Sequence, residues 1–494
     1  MLIATPTQMN NIDQRAVKKG VPSLLLMENA ASAVVCELPP KAKSFLVVCG
    51  SGNNGGDGYA VARQLFCSGK MVEVLCVSPP KTDDAKLNYK YAKDIGVPFV
   101  TFDKLKEYDV IIDAMLGTGL SGDVRQEQKE IIEYINNTKS YIISVDVPSG
   151  TDGASGITCG ISVKADKTVT FALIKQGQLW SDNVGKLVLK SISIPIDAIN
   201  EENITTYLLE KSDVKQMLPQ RSTDSHKGSC GKILVVAGSE GMTGAARLSC
   251  EAALRSGCGL VKLAIPRSLN IVMEKTLIEA MTIPVAEFDG AISQESVGEI
   301  SSHLKNSDVL LIGCGLSTKP QTKRAFAEII KQSNLPMVID ADGLNILSED
   351  IHLIDGKNVV ITPHLMEFSR LSGLTIEEIN KDKVTVATMF ATKYNVVLVL
   401  KGKGTVIALP DGRCYINNTG NEGMATGGSG DVLVGMIASF IGQGMTTQNA
   451  ALCGVYLHGL SGDIAKEYKG IYSMLPTDMI SYIGEAIDIV KEVE

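Results

Sequence analysis

At 494 residues the chain is too long for one ordinary hydrophobic core, so two or more domains are expected. Its 45% hydrophobic and 21% charged content, with 47 glycines, excludes a disordered or fibrous chain and describes a loop-rich α/β enzyme. A formal charge of −8 speaks against nucleic acid or an anionic membrane as partner, so a phosphate-bearing ligand has to be held by backbone amides and a few Lys or Arg side chains. The eleven cysteines form no CxxC pair and lie mostly in apolar runs (Cys49, Cys76, Cys250, Cys453), as buried thiols of a reducing compartment would. The five histidines have no metal-ligand spacing, the N-terminus has no apolar leader core, and no uncharged run reaches membrane-span length. A cytoplasmic location is the expectation.

Thr5 or Thr7 caps a first helix over residues 8–19, and a second helix follows Pro22-Ser23. FLVVCG (45–50) reads as a buried parallel strand that ends in GSGNNGGDG and enters a helix over 59–68. Strand, glycine loop and helix form the unit that cradles phosphates, and Asn53, Asn54 and Asp57 add polar groups that a turn does not require. Strands over 71–77, 108–116 and 141–150, with helices near 83–95 and 126–137, continue a parallel sheet covered on both faces. Asp113, Asp146 and Ser149 fall at or beyond strand C-terminal ends, the edge where open α/β sheets bind ligands. A second glycine loop, residues 117–123, follows Asp113.

GSGNNGGDGYAVARQL, DAMLGTGLSGD and VDVPSGTDG resemble the signatures of the NAD(P)H-hydrate epimerase domain, which is Rossmann-like. That resemblance implies a hydrate site lined by Asn53, Asn54, Gly55, Gly56 and Asp57 and by Gly117, Thr118, Gly119, Leu120, Ser121, Gly122 and Asp123, with Asp146 beside the damaged ring. It also implies a potassium ion on Asn54, Asp113 and Ser149, an oxygen-only set that suits a hard cation. Asp146 is the expected acid–base of epimerisation.

Residues 201–232 carry charge, Pro219 and turn residues, which places a domain boundary near residue 211 and gives domains of 1–211 and 212–494. No internal repeat relates the halves. A strand over 232–239 leads into a small-residue helix, and strands over 260–266, 308–317, 336–345, 358–364 and 396–408 follow before three final helices. These strands end in Gly315, Asp340 and Asp342, His364, and Lys401 to Thr405. Gly427-Gly428-Ser429-Gly430-Asp431 then opens an apolar helix, whose unpaired amides and dipole suit a phosphate in transfer. Asp431 would repel that phosphate unless its task is to take a proton from the attacking hydroxyl; the plain alternative is a helix-dipole acid after a tight turn. His364 reads equally as a helix cap or a ligand contact, and Lys401 and Lys403 as a solvated turn or a phosphate contact.

DSHKGSCGK, AGSEGMTGAA, DADGLN, TPH, LKGKGT and GNEGMATGGSGDVLVGMI resemble the ribokinase-like domain that dehydrates NAD(P)H hydrate with ADP or ATP. By motif position, Ala245, Gly315, His364 and Asp431 would contact the hydrate. Lys401, Gly402, Lys403, Gly404, Thr405, Asn421, Gly427, Gly428, Ser429 and Gly430 would contact the nucleotide, with Mg²⁺ bridging phosphates. GCGLS (313–317) and PHLMEF (363–368) stand where the family commonly has GPGLG and PHPGE, which alters local loop shape at Gly315 and His364. Together the two resemblances imply two three-layer α/β domains in a bifunctional repair enzyme. It would interconvert R and S hydrates of NADH and NADPH and dehydrate the S form at the expense of ADP (giving AMP and phosphate) or ATP, as a homo-oligomer. The alternatives are a kinase of a vitamin-like hydroxymethyl compound, or a non-catalytic nucleotide-binding N-terminal half.

Overall fold

The computed structural model describes residues 1–120 and 122–492, so the expected site residue Ser121 lies outside the described residues. The chain divides into two compact units, one of Leu2–Ile204 and one that begins at Thr205.

The first unit is built on a seven-stranded parallel sheet, in the order Phe99–Val100, Met71–Cys76, Ser44–Cys49, Val110–Ala114, Tyr141–Val145, Lys167–Phe171, Lys186–Lys190. The last two strands were not anticipated: KTVTF and KLVLK are short, and the second is half-buried rather than apolar throughout. The strand order reverses at Ser44–Cys49, whose two neighbours lead the chain in opposite directions across the sheet. A crevice opens at such a switch point, beyond the strand C-termini. The segments that follow Cys49 and Ala114 flank it.

The helix expected from residue 59 starts at Asn53 and runs to Cys67, so most of the glycine-rich string is helical rather than loop. Close packing explains its glycines. A Cβ at Gly55 would lie 2.0 Å from the Gly50 carbonyl oxygen, and one at Gly58 would lie 2.7 Å from Ala114 Cβ and Cys49 Sγ. Gly55 is buried in this contact and Gly56 against Met27 and Ala85, and neither lines the ligand edge as expected. Because the obstacle at Gly55 is rigid backbone, Gly55→Ala is expected to destabilise the first unit by about 3 kcal/mol or more, read as a lowered midpoint in denaturant unfolding.

The second unit carries a ten-stranded sheet: Thr206–Leu209, Cys414–Asn417, Val406–Ala408, Val397–Leu400, Val359–Ile361, Met337–Ile339, Val309–Ile312, Lys232–Val236, Leu260–Pro266, Met281–Val285. It is parallel apart from the Val397–Leu400, Val406–Ala408, Cys414–Asn417 meander. The single strand expected over 396–408 is thus a hairpin, turned at GKGT. Thr206–Leu209, ahead of the junction expected near 211, pairs with Cys414–Asn417 and joins this unit. Only four residues long, TYLL has too little alternation to be read as a strand. Met281–Val285 and Cys414–Asn417 escaped the sequence reading as well.

Helix Ser429–Gly442 is apolar almost all round and correspondingly buried. It crosses helix Thr243–Arg255 so closely that a Cβ at Gly435 would stand 2.3 Å from the Ser249 carbonyl oxygen. Helices Thr447–Lys469 and Pro476–Lys491 complete the layer. Among the described residues no helix is long and apolar enough to cross a membrane. All eleven cysteines are free thiols.

Candidate active sites

At the switch point of the first unit lies a cleft of about 1110 Å³. Of the residues expected there, Asn53, Asn54, Asp57, Gly117, Thr118, Gly119, Leu120, Asp123 and Asp146 line it, while Gly55, Gly56 and Gly122 do not. Helix Pro6–Lys18, fixed at its start by a Thr5–Gln8 capping box, supplies the opposite wall and brings in Asp13.

Asp146 follows strand Tyr141–Val145 with a φ of +64°, a left-handed conformation that only a tightly held non-glycine residue keeps. Two contacts hold it: its amide donates to the Val169 carbonyl (2.8 Å), and its carbonyl accepts from Gln178 Nε2 (2.6 Å). Its carboxylate accepts from Lys175 Nζ at 2.5 Å and from Thr170 Oγ1 at 3.0 Å. The Lys175 side chain is only 3% exposed. Its ammonium also donates to Thr170 Oγ1 (2.9 Å) and the Phe171 carbonyl (3.2 Å). Sequence reasoning passed over Lys175, although a lone lysine in the apolar run FALIKQGQL signals a buried, paired charge. Two further carboxyls share the cleft. Burial, reinforced by the charge of Asp146, pushes Asp13 up to about 6 against the opposing pull of Lys175. Asp57 is held well above the usual carboxylate range, first by burial, then by Asp146 and Asp13.

Beneath the cleft, Asp113 is fully buried. Its carboxylate accepts from Ser144 Oγ (2.8 Å), Ser149 N (2.8 Å), Ser149 Oγ (2.5 Å) and Met115 N (3.3 Å). Ser149 Oγ in turn accepts from the Leu116 amide at 2.8 Å. Asn54 stands against Gly117, where an added Cβ would lie 3.2 Å from the Asn54 Cβ. Neither Oδ1 nor Nδ2 of Asn54, both buried, has a hydrogen-bond partner among the described residues. A buried amide left without partners, beside a carboxylate and a hydroxyl that converge on the same Met115–Gly117 segment, is a donor set that fits a hard monovalent cation.

In the second unit the C-terminal ends of four adjacent strands, Val309–Ile312, Met337–Ile339, Val359–Ile361 and Val397–Leu400, bring together Gly315, Asp340, His364 and Lys401. Lys401 is not a solvated turn residue: its ammonium donates to buried Asp340 at 2.8 Å. Gly430 closes over this pair, and a Cβ there would lie 3.2 Å from Lys401 Nζ and 3.4 Å from Asp340 Oδ2. Thr405 Oγ1 donates to the Gly402 carbonyl (2.9 Å) and closes the turn behind Lys401.

Gly428, with a φ of +101°, caps helix Ser429–Gly442. The first backbone bond of this helix runs from Val432 to Gly428 (3.1 Å), which leaves the Gly430 and Asp431 amides outside the helical ladder. Asp431 stands in that first turn, where burial pushes its carboxyl up to about 6; the Cys314 thiol and Lys401 favour the charged form, and Asp340 opposes it. Cys314, at the position where the sequence departs from GPGLG, is fully buried. Ala245 and Gly315 do meet, for a Cβ at Gly315 would lie 3.2 Å from that of Ala245.

His364 takes the capping role: its Nδ1 accepts from the Met366 and Glu367 amides at 3.1 and 3.2 Å, and Glu367 caps back onto its amide. Burial raises Glu367 to about 7. Asn421 is engaged too, donating to Asp463 at 2.9 Å and accepting from Gly423 at 3.0 Å. His458, missed in the sequence, is buried and its Nε2 sits 2.9 Å from the Ser429 carbonyl. Burial lowers its pKa to about 4, so a neutral imidazole donates to that carbonyl and anchors the glycine loop.

Two families match the chain: one described as YjeF-related protein N-terminus over residues 23–177, and NAD(P)H-hydrate dehydratase over residues 233–485. Across its full length the chain is 36% identical to the bifunctional NAD(P)H-hydrate repair enzyme of Moorella thermoacetica, of which it covers 98%. Over 94% of its length it is 34% identical to the enzyme of the same description from Escherichia coli, of which it covers 89%. A solved ribokinase-like superfamily protein from Enterococcus faecalis V583 is 28% identical, with a TM-score of 0.52, over 58% of this chain and 96% of its own. The chain belongs to the bifunctional NAD(P)H-hydrate repair enzymes, which join an NAD(P)H-hydrate epimerase and an NAD(P)H-hydrate dehydratase in one polypeptide.

Proposed function

We propose that the cleft of the first unit interconverts R and S hydrates of NADH and NADPH through Asp146. The edge site of the second unit then dehydrates the S form with ADP or ATP as phosphoryl donor. The observation that carries the second assignment is Asp431, a carboxyl raised to about 6 in the first turn of a helix whose Gly430 and Asp431 amides lie outside the helical ladder. Hydroxide leaves poorly from C6 of a hydrated nicotinamide. Asp431 takes the proton of the C6 hydroxyl, whose oxygen attacks the terminal phosphoryl group, and the amides of the Gly428–Gly430 segment stabilise its charge. The ring nitrogen then expels phosphate, and loss of a C5 proton restores the dihydropyridine. From ADP the by-products are AMP and phosphate. Lys401, held by Asp340, supplies fixed positive charge beside the loop.

Mg²⁺ fits this edge as an ion carried mainly on the phosphates, with Asp340 Oδ2 as the protein oxygen facing Gly430. It would neutralise phosphate charge. In the first unit K⁺ fits Asn54, Asp113 and Ser149, where it would satisfy the Asn54 amide and fix the Met115–Gly117 segment. Replacing K⁺ by tetramethylammonium is expected to slow epimerisation and lower the melting temperature of the first unit, while dehydration of pure S hydrate continues. An equal loss in both activities would remove the ion from the epimerase cleft.

The deciding assay is recovery of reduced-nicotinamide absorbance from mixed NADPH-hydrate epimers, with Mg²⁺ and ADP or ATP. Full recovery, faster than spontaneous epimerisation allows, supports both sites and identifies the nucleotide. A stall near half recovery would sink the epimerase assignment. No recovery with either nucleotide would favour a vitamin-type kinase.

A further inference from the structure

Asp13, Asp57 and Asp146 line the first cleft together with Lys175, whose charge acts on both Asp13 and Asp57. Those four groups are not equivalent. Lys175 spends its three N–H bonds on Asp146, Thr170 and the Phe171 carbonyl, so none remains for Asp13 or Asp57. Neither Asp13 nor Asp57 makes a hydrogen bond or ion pair with the described residues, and each reaches the cleft from a different element. Burial and the charge of Asp146 both favour a proton on Asp13 and on Asp57, and Lys175 opposes them without bonding to either. The other charged groups lining the cleft are Lys18, Lys81, Asp84, Asp123 and Arg125.

Epimerisation at C6 needs two proton positions at once. The C6 hydroxyl must lose its proton as the C6–N1 bond breaks, and N1, which keeps that electron pair, must gain one. We propose that Asp13 is a second catalytic residue of the epimerase, the acid that gives N1 its proton while Asp146 takes the hydroxyl proton. The ring opens to an aldehyde at C6 and an N–H at N1. Rotation about the C5–C6 bond presents the other face. N1 then attacks C6 and returns its proton to Asp13, and Asp146 gives its proton back to the oxygen. No atom or electron is gained or lost over the cycle. Asp13 lines the cleft on the helix opposite Asp146 with no bonded partner for its carboxyl among the described residues, and burial holds it at about 6, so it can both give and recover a proton. This assignment rests on Asp146 as the partner base.

The test uses the full chain, pure R hydrate of NADPH, and chromatographic separation of the epimers, with dehydration of S hydrate as the measure of active enzyme. Asp13→Asn is expected to lower epimerisation kcat by about 100-fold or more at nearly constant KM. It should also abolish the alkaline fall of kcat/KM above pH 6 that loss of the Asp13 proton produces in the parent. Asp13→Glu should restore part of the rate and the alkaline limb. Near-normal epimerisation in Asp13→Asn with none in Asp146→Asn would overturn the Asp13 role and keep the Asp146 reading. Activity in both variants would overturn both. A slow Asp13→Asn that keeps the alkaline limb would make Asp13 a structural residue and also reject the proposal.

Discussion

Asp431→Asn is expected to slow NAD(P)H-hydrate dehydration by about 10³-fold, with nucleotide affinity unchanged or improved. The amide keeps the size of the side chain and its place in the first helical turn, but it cannot accept the hydroxyl proton. Removing a negative charge beside bound phosphates favours the nucleotide, so a binding titration separates this outcome from a collapsed loop. The pH dependence has a definite sign. The base must be ionised, so the parent rate should fall about tenfold per unit as pH drops below 6, and the residual rate of the variant should lack that limb. Stability runs the other way. A carboxyl raised from its ordinary value to about 6 binds a proton more tightly when folded. Its stabilising contribution is therefore full below the unfolded pKa and is lost as pH rises through 6. Asp431→Asn should accordingly gain melting temperature over the parent at pH 8 and little at pH 4. A rate within a few-fold of the parent would rule out the base role, whatever the melting curves show.

The parts of both sites legible in the sequence are those where one residue type has one physical use. Gly428 takes a left-handed φ to start its helix, and Asp431 stands in the first turn of that helix, as the glycine-rich run implied. The alternation of apolar runs and glycine loops gave the parallel sheets because buried parallel strands have no polar face. Other features were hidden because they depend on partners distant in sequence. Gly55 and Gly58 looked like loop residues, yet they serve helix–strand contact with Gly50, Cys49 and Ala114. Lys401 read as part of a basic turn, and its ion pair with Asp340, 61 residues earlier, had no signal in the sequence. Asp13 is the lone acid of helix Pro6–Lys18, with no motif to mark it, and only the fold places it in the cleft with Lys175. Edge strands such as Thr206–Leu209 have too few residues for a pattern, and their pairing is set by neighbours that the chain reaches 200 residues later.

Asp146→Asn is expected to abolish epimerisation, leaving only the spontaneous rate, while the hydrate still binds in the cleft. Two effects have to be separated, since the same carboxylate is the partner of Lys175 at 2.5 Å, a side chain with 3% exposure. Removing one member of a buried pair leaves the other charge unmatched and typically costs about 3–5 kcal/mol. The first unit should therefore also unfold at lower denaturant. The double variant Asp146→Asn, Lys175→Met removes both charges and is expected to recover much of that stability, because an apolar side chain of similar length fills the site without an unpaired ammonium. It should recover none of the epimerisation. That pattern, stability restored and activity still absent, assigns the carboxylate to proton transfer. Activity returning with stability would instead make Asp146 a structural counter-ion, and the acid–base work would have to pass to Asp13 or Asp57 in the same cleft.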